Sequence, residues 1–223
     1  FINLILEKTG KALVNVRDAE GRSATYVAID EGYTELADKF IFDYGNIIHN
    51  PTEGVELLVN KVKQGNATVT EYLIKNLGVD VNSLDASGTP VICYAGHGSV
   101  MKTLIDLGAE FNFTLPDGRT LLHHTILKGS ESAVLTLLKN GANPLTLDKD
   151  GLSPLYHTFA KGYADAAKEI LSKTNYYIGN DILFGNLLSE MMNDNKVEAL
   201  KFLFRIAPAK INDRVDGMAS VLA

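Results

Sequence analysis

Apolar residues along this chain fall in short stripes with helical spacing. Val134, Leu135, Leu137 and Leu138 follow an i, i+3, i+4 pattern, as do Val100, Met101, Leu104 and Ile105. Each run predicts a short helix that buries one stripe and leaves its other face polar. Punctuation agrees with the stripes. Ser23, Thr89, Thr120, Ser153 and Asn186 stand where a helix would begin, and their side-chain oxygens suit an orphan backbone N–H. Pro90 and Pro154 follow two of them, at a first helical position where a missing N–H costs nothing. Gly129 and Gly162 sit between two short helical patterns, where a tight reversal favours positive φ. Gly141 closes its stripe as a left-handed C-cap would. The pattern therefore predicts pairs of short helices.

The glycines also keep time. Gly21 and Gly54, and again Gly118 and Gly151, lie 33 residues apart, and Gly32, Gly65 and Gly98, then Gly129 and Gly162, keep the same step. A fixed period of this length is the mark of a stacked repeat array. The residues between the glycines carry a resemblance. Asp148 to Lys161 reads D-K-D-G-L-S-P-L-Y-H-T-F-A-K, Gly118 to His123 reads G-R-T-L-L-H, and Asp85 to Val91 reads D-A-S-G-T-P-V. Second-helix ends read Gly78-Val79-Asp80-Val81-Asn82, Gly108-Ala109-Glu110-Phe111-Asn112 and Gly141-Ala142-Asn143. These resemble the T-P-L-H-x-A and G-A-D-x-N signatures of ankyrin repeats. The resemblance implies an all-α repeat solenoid of stacked helix-turn-helix pairs with short β-hairpin loops.

On that register the chain is one array over 1–223. Residues 1–17 form a truncated repeat with a helix through Leu4, Ile5 and Leu6, Gly10, and a hairpin strand through Val14 and Val16. Repeats follow at 18–50, 51–84, 85–114, 115–147, 148–180 and 181–213, and 214–223 begins another. The segment reads as a piece of a longer array, with ends that would fray or associate end to end. Extended backbone is expected only near 80–86, 111–117 and 144–149. Several units depart from the pattern. Unit 51–84 has Glu56 where a capping Thr belongs, and unit 85–114 is short, with either Gly96 or Gly98 between its helices. Unit 148–180 ends Thr174-Asn175-Tyr176-Tyr177-Ile178, and unit 181–213 has Phe184 and Asn195 at its glycine positions.

Composition narrows the function. The net charge of −6 argues against a general nucleic-acid binder. The charge is uneven, with net −5 over 18–50 and +1 over 115–147. One cysteine, Cys93, leaves no internal disulfide and suits a cytoplasmic or other reducing compartment. No apolar run is long enough for a membrane span.

No catalytic constellation stands out. His123 and His124 are adjacent, so on a helix they point about 100° apart and do not share a site. The resemblance gives His123 a hydrogen-bonding role in the repeat framework. His97 reads as a turn or surface residue, and His157 shows no partner. Cys93, beside Val91, Ile92 and Tyr94, reads as a packed and inert thiol. There is no phosphate-cradling glycine loop, and neither a cofactor nor a metal is expected.

What remains is a binding face. In the ankyrin register the end of the first helix and the hairpin tips face the partner. They hold Asp30, Glu31, Lys63, Leu127, Lys128 and Lys161, with Arg119 and Leu152 at the tips and Phe113, Tyr176 and Tyr177 on hairpins. The hairpin aromatics either pack between hairpins or meet a partner. The expected function is a protein–protein interaction module whose partner brings carboxylates opposite Lys128 and Lys161, plus an apolar group. Alternatives are the targeting arm of a larger enzyme or of a host-directed bacterial effector, and a structural spacer.

Overall fold

The computed structural model describes residues 16–42, 51–173 and 201. They divide between Glu110 and Phe111 into two compact units. In the first unit α1 (Ala24–Asp30) pairs with α2 (Thr34–Phe42), and α3 (Pro51–Gln64) pairs with α4 (Ala67–Lys75). A single 3-10 turn, η1 (Val91–Tyr94), then precedes α5 (Gly98–Asp106). The second unit pairs α6 (Leu121–Lys128) with α7 (Glu131–Lys139), and α8 (Pro154–Lys161) with α9 (Ala164–Lys173). Within a unit, first helices stack on first helices and second on second: α3 on α1 and η1, α5 on α4, α8 on α6, α9 on α7. Among the described residues extended pairing is confined to the isolated bridges Arg17–Ser23, Leu84–Pro90 and Thr114–Thr120. The fold is the all-α repeat anticipated from the glycine period. Near 144–149 no bridge forms, although the turn bond from Asp148 N–H to the Leu152 carbonyl is made at 2.9 Å.

The caps explain where helices begin. Ser23, Thr120 and Ser153 each accept a hydrogen bond from the backbone N–H three residues on, and Pro154 occupies the first turn of α8. Gly129 and Gly162 close α6 and α8 at φ 105° and 73°, a region where any Cβ is strained. The stripes go inward as their spacing requires: Leu73, Met101 and Leu104 are fully buried in the first unit, and Leu122, Ile126, Leu137 and Leu138 are almost completely so in the second.

Three expectations fail for local reasons. Thr89 caps nothing. The turn bond from Asp85 N–H to the Thr89 carbonyl matches Asp148 to Leu152 and Asp18 to Arg22, so Pro90, rather than Thr89, stands at the cap position of its unit. Proline offers no side-chain acceptor there, and the first helix shrinks to η1. Gly96 does lie between η1 and α5, and Gly98 opens α5, but the positive φ expected of an inter-helix glycine belongs to neither. In the unit before it, the helix starts at Pro51, so Gly54 is helical and Glu56 lies in mid-helix rather than at a cap. Pro51 pre-sets φ and Glu53 complements the helix N-terminus, which starts α3 a turn and a half early. Asn186, Phe184, Asn195 and the residues of both chain ends lie outside the described residues.

Successive repeats are tied by side chain-to-backbone bonds. Asn82 donates to the Gly108 carbonyl at 3.4 Å and accepts from Glu110 N–H at 2.9 Å. Asn112 repeats the pattern with Gly141 and Asn143 at 3.5 and 3.4 Å. Glu131 accepts from Asp165 and Ala166 N–H at 2.9 and 3.1 Å, capping α9 from the preceding repeat. Tyr72 donates to Asp38 at 2.6 Å across α4 and α2.

Replacing Leu122 with Ala should cost about 2–5 kcal/mol, because its side chain is almost completely buried. Replacing the exposed Lys128 with Ala should cost little. Urea midpoints check both, and equal shifts would contradict the register of that unit.

Candidate functional site

The polar group that stands out within the core is built from two consecutive repeats. Ser153 starts α8 and so turns His157 inward, while the turn before it buries Asp148. The Asp148 carboxylate is about 1% exposed, and its Oδ2 lies 2.8 Å from His157 Nε2. Its other oxygen accepts from Asp150 and Leu152 N–H at 3.0 and 2.9 Å. Burial alone would raise this carboxyl, but the bonds from His157 and the two backbone N–H groups outweigh it and leave it below its ordinary value.

His123 comes in from α6. Its ring meets that of His157 edge-on at 5.6 Å, and Tyr156 meets His157 edge-on at 5.4 Å. Nδ1 of His123 faces Thr120 N–H at 3.3 Å and the Thr120 hydroxyl at 2.8 Å, while Nε2 lies 3.2 Å from the Leu152 carbonyl. A carbonyl only accepts and a backbone N–H only donates, so the ring is neutral, with its proton on Nε2. Burial, reinforced by His157 and Arg119 nearby, holds its pKa below the ordinary value.

The histidine–aspartate contact has a counterpart in the first unit. Asp85 accepts from Ser87 and Thr89 N–H on one oxygen and from the Tyr94 hydroxyl on the other. Both pairs span nine residues, the turn aspartate reaching His157 in the middle of α8 in one case and Tyr94 at the end of η1 in the other. His157 therefore has a partner that sequence reasoning missed. The recurring Asp-to-aromatic spacing was the available signal.

Ligand atoms of His123, Asp148 and His157 lie within 4.8 Å of one another, so a cation is the chemistry to weigh. The donor set argues against it. His123 spends its Nδ1 lone pair on Thr120 N–H and its Nε2 proton on Leu152, so neither nitrogen has a lone pair to give. Ligation would break the bond to the next repeat and set two donors against each other at the cap. The arrangement is a buried buttress.

The residues expected on the binding face have varied fates. In the first unit, Asp30 is engaged by Lys61, whose side chain is about 3% exposed and whose ammonium reaches the Asp30 carboxylate at 2.8 Å and its carbonyl, with Gln64 at 3.0 Å. Glu31 is exposed. Lys63 is exposed and sits 4.4 Å from the Tyr94 ring centre, a cation–π contact. In the second unit Lys128 and Lys161 are exposed at the ends of α6 and α8, with the half-buried Leu127 adjacent to Lys128, while the half-buried Leu152 lies in the turn before α8. Arg119 reaches Asp117 at 3.3 Å. Phe113 is half-buried and lines a small cleft of about 140 Å³ with Phe111, Leu122 and Ala142 of its own unit. Tyr176 and Tyr177 lie outside the described residues. Cys93 is buried and His97 exposed, packed over Gly65.

Comparison with known proteins places this arrangement. A family model of ankyrin repeats, in three copies, matches residues 90–182. The chain is 30% identical over 140 residues to the E3 ubiquitin-protein ligase KEG of Arabidopsis thaliana, covering 60% of this chain and 8% of that protein. To the putative E3 ubiquitin-protein ligase XBAT35 of the same plant it is 40% identical over 100 residues, covering 42% of this chain and 21% of that protein. The crystal structure of an ankyrin repeat domain from Acinetobacter baumannii AYE matches with a TM-score of 0.58 at 27% identity, covering 77% of this chain and 91% of that one. The chain thus spans only a small part of either plant relative's length.

Acid should loosen the buttress. The folded state favours neutral His123 and ionised Asp148. Stability is therefore full above the unfolded histidine pKa of ~6.5 and falls as pH drops through that range, then again through the carboxylate range. Between about pH 7.5 and 5 the urea midpoint should fall, and His123→Gln, which keeps a donor but does not titrate, should flatten that slope. Zinc in roughly tenfold excess should leave the midpoint unchanged; a rise abolished by His157→Gln would assign a metal site instead.

Proposed function

The chain is an ankyrin-repeat protein, and we propose that it works as a protein-interaction module engaging its partner through the ends of its first helices and the adjoining turns. Ankyrin repeats are protein-interaction modules, and repeat domains of this kind are typically non-catalytic. The observation that carries the reading is in the second unit. Lys128 and Lys161 take the same place in α6 and α8, one residue before the closing glycines. Both are exposed, and neither makes an ion pair among the described residues. Stacking α8 on α6 brings these two cations, unpaired among the described residues, to the C-terminal ends of neighbouring first helices, next to the half-buried Leu127.

A partner suited to that edge brings carboxylates opposite the lysines and an apolar group against Leu127. Charge then sets encounter rate and orientation, while apolar contact sets residence time. The buried triad of His123, Asp148 and His157 has no part in the contact beyond keeping the two first helices in register. Among the described residues no helix is long and apolar enough to cross a membrane.

A second reading has its own support. Two relatives are named as ubiquitin ligases, and the matched stretch is a minor part of each. On that reading the array is the targeting arm of a larger enzyme, and the chemistry resides elsewhere in the parent chain. A ligase assay on the parent protein decides it: activity that persists while substrate choice is lost on deleting the array supports the arm.

Lys128→Glu combined with Lys161→Glu should slow association with a captured partner about tenfold at low salt, and less at high salt. Leu127→Ala should speed dissociation. Surface-plasmon kinetics separate the two effects, and a partner indifferent to all three changes would remove the first-helix edge of the second unit from the binding face.

A further inference from the structure

The first unit carries a groove with chemistry opposite to that of the second-unit edge. One face of α3 forms its wall and the turn at 84–86 its rim, enclosing about 650 Å³. Val55 and Val59 lie one helical turn apart on that wall, with Val59 buried. Leu84 closes the far side and is 56% exposed. An exposed leucine facing a valine stripe is apolar surface without a cover.

The charges at the rim are not equivalent. Asp85 has both oxygens engaged, by Ser87, Thr89 and Tyr94. Lys63 is held over the Tyr94 ring. Glu56 is exposed on the wall between the two valines and has neither a hydrogen bond nor an ion pair among the described residues. The groove therefore presents an apolar slot beside one uncommitted carboxylate. Its position in mid-helix, where a capping residue stands in better-formed repeats, follows from the early start of α3 at Pro51.

We propose that this groove takes an extended segment of a partner protein in which an aliphatic side chain stands next to a lysine or arginine. The aliphatic group seats between Val55, Val59 and Leu84, and the cation pairs with Glu56. The assignment rests on the reading of the chain as an interaction module and adds a second, independently charged contact to it.

The test uses a random linear peptide display library panned on the full chain. Enriched peptides should carry a basic residue within two positions of Leu, Ile or Val. Fluorescence anisotropy with the best peptide should show affinity falling about tenfold in Glu56→Lys and again in Leu84→Lys, both exposed changes that leave the helical circular dichroism intact. The double variant Lys128→Glu, Lys161→Glu serves as the control for the other unit and should bind the peptide as the parent does. Loss of binding only in that double variant would overturn the groove while supporting the second-unit edge. No enrichment, enrichment of acidic or purely polar peptides, or affinity unchanged by both groove variants would also overturn it.

Discussion

One imidazole ring holds the second unit in register. His123 receives the N–H of its own cap on one nitrogen and gives its proton to the Leu152 carbonyl of the next repeat with the other. Both bonds end on a fully buried ring, where an orphaned polar group costs more than a made bond gains. The ring is thus committed twice, and the commitment fixes where α8 stacks on α6. Asp148 and His157 complete the arrangement from the next repeat by bracing the turn that presents Leu152.

Elsewhere the same task falls to other side chains. Asn82 and Asn112 bridge to the following second-helix ends, Glu131 caps α9, and Lys61 reaches back to Asp30 from the core. Because each link joins only neighbours, stability is close to a sum of repeats and their interfaces. A damaged link should loosen two repeats and spare the remainder of its unit. That economy leaves the exposed positions of the first helices free to vary, and there the two units diverge: two lysines without an ion pair among the described residues at the helix ends of one, and a likewise unpaired glutamate beside valines in mid-helix in the other.

Much of this was legible in the sequence because single residues dictate it. Gly129 and Gly162 adopt the positive φ that their spacing implied, and Ser23, Thr120 and Ser153 cap as their hydroxyls suggested. The failures share a cause. A period fixes where a residue would stand, whereas local chemistry decides whether the element starts there. Pro51 began α3 ahead of schedule, and Pro90 displaced Thr89 from the cap. Asp30 seemed a free surface acid, since nothing in its own repeat announces that Lys61, one repeat later, will reach it from a buried position. His157 looked solitary because its partner lies across a turn, at a spacing no helical rule supplies.

If the buried histidine is a structural tie, its protonation state is fixed by the fold and identifiable directly. Long-range nitrogen–proton correlation spectra of the full chain at neutral pH report the tautomer of each ring. The account predicts that His123 is neutral, with its proton on Nε2 and that proton slow to exchange. A proton on Nδ1, or a ring already charged at neutral pH, would contradict it.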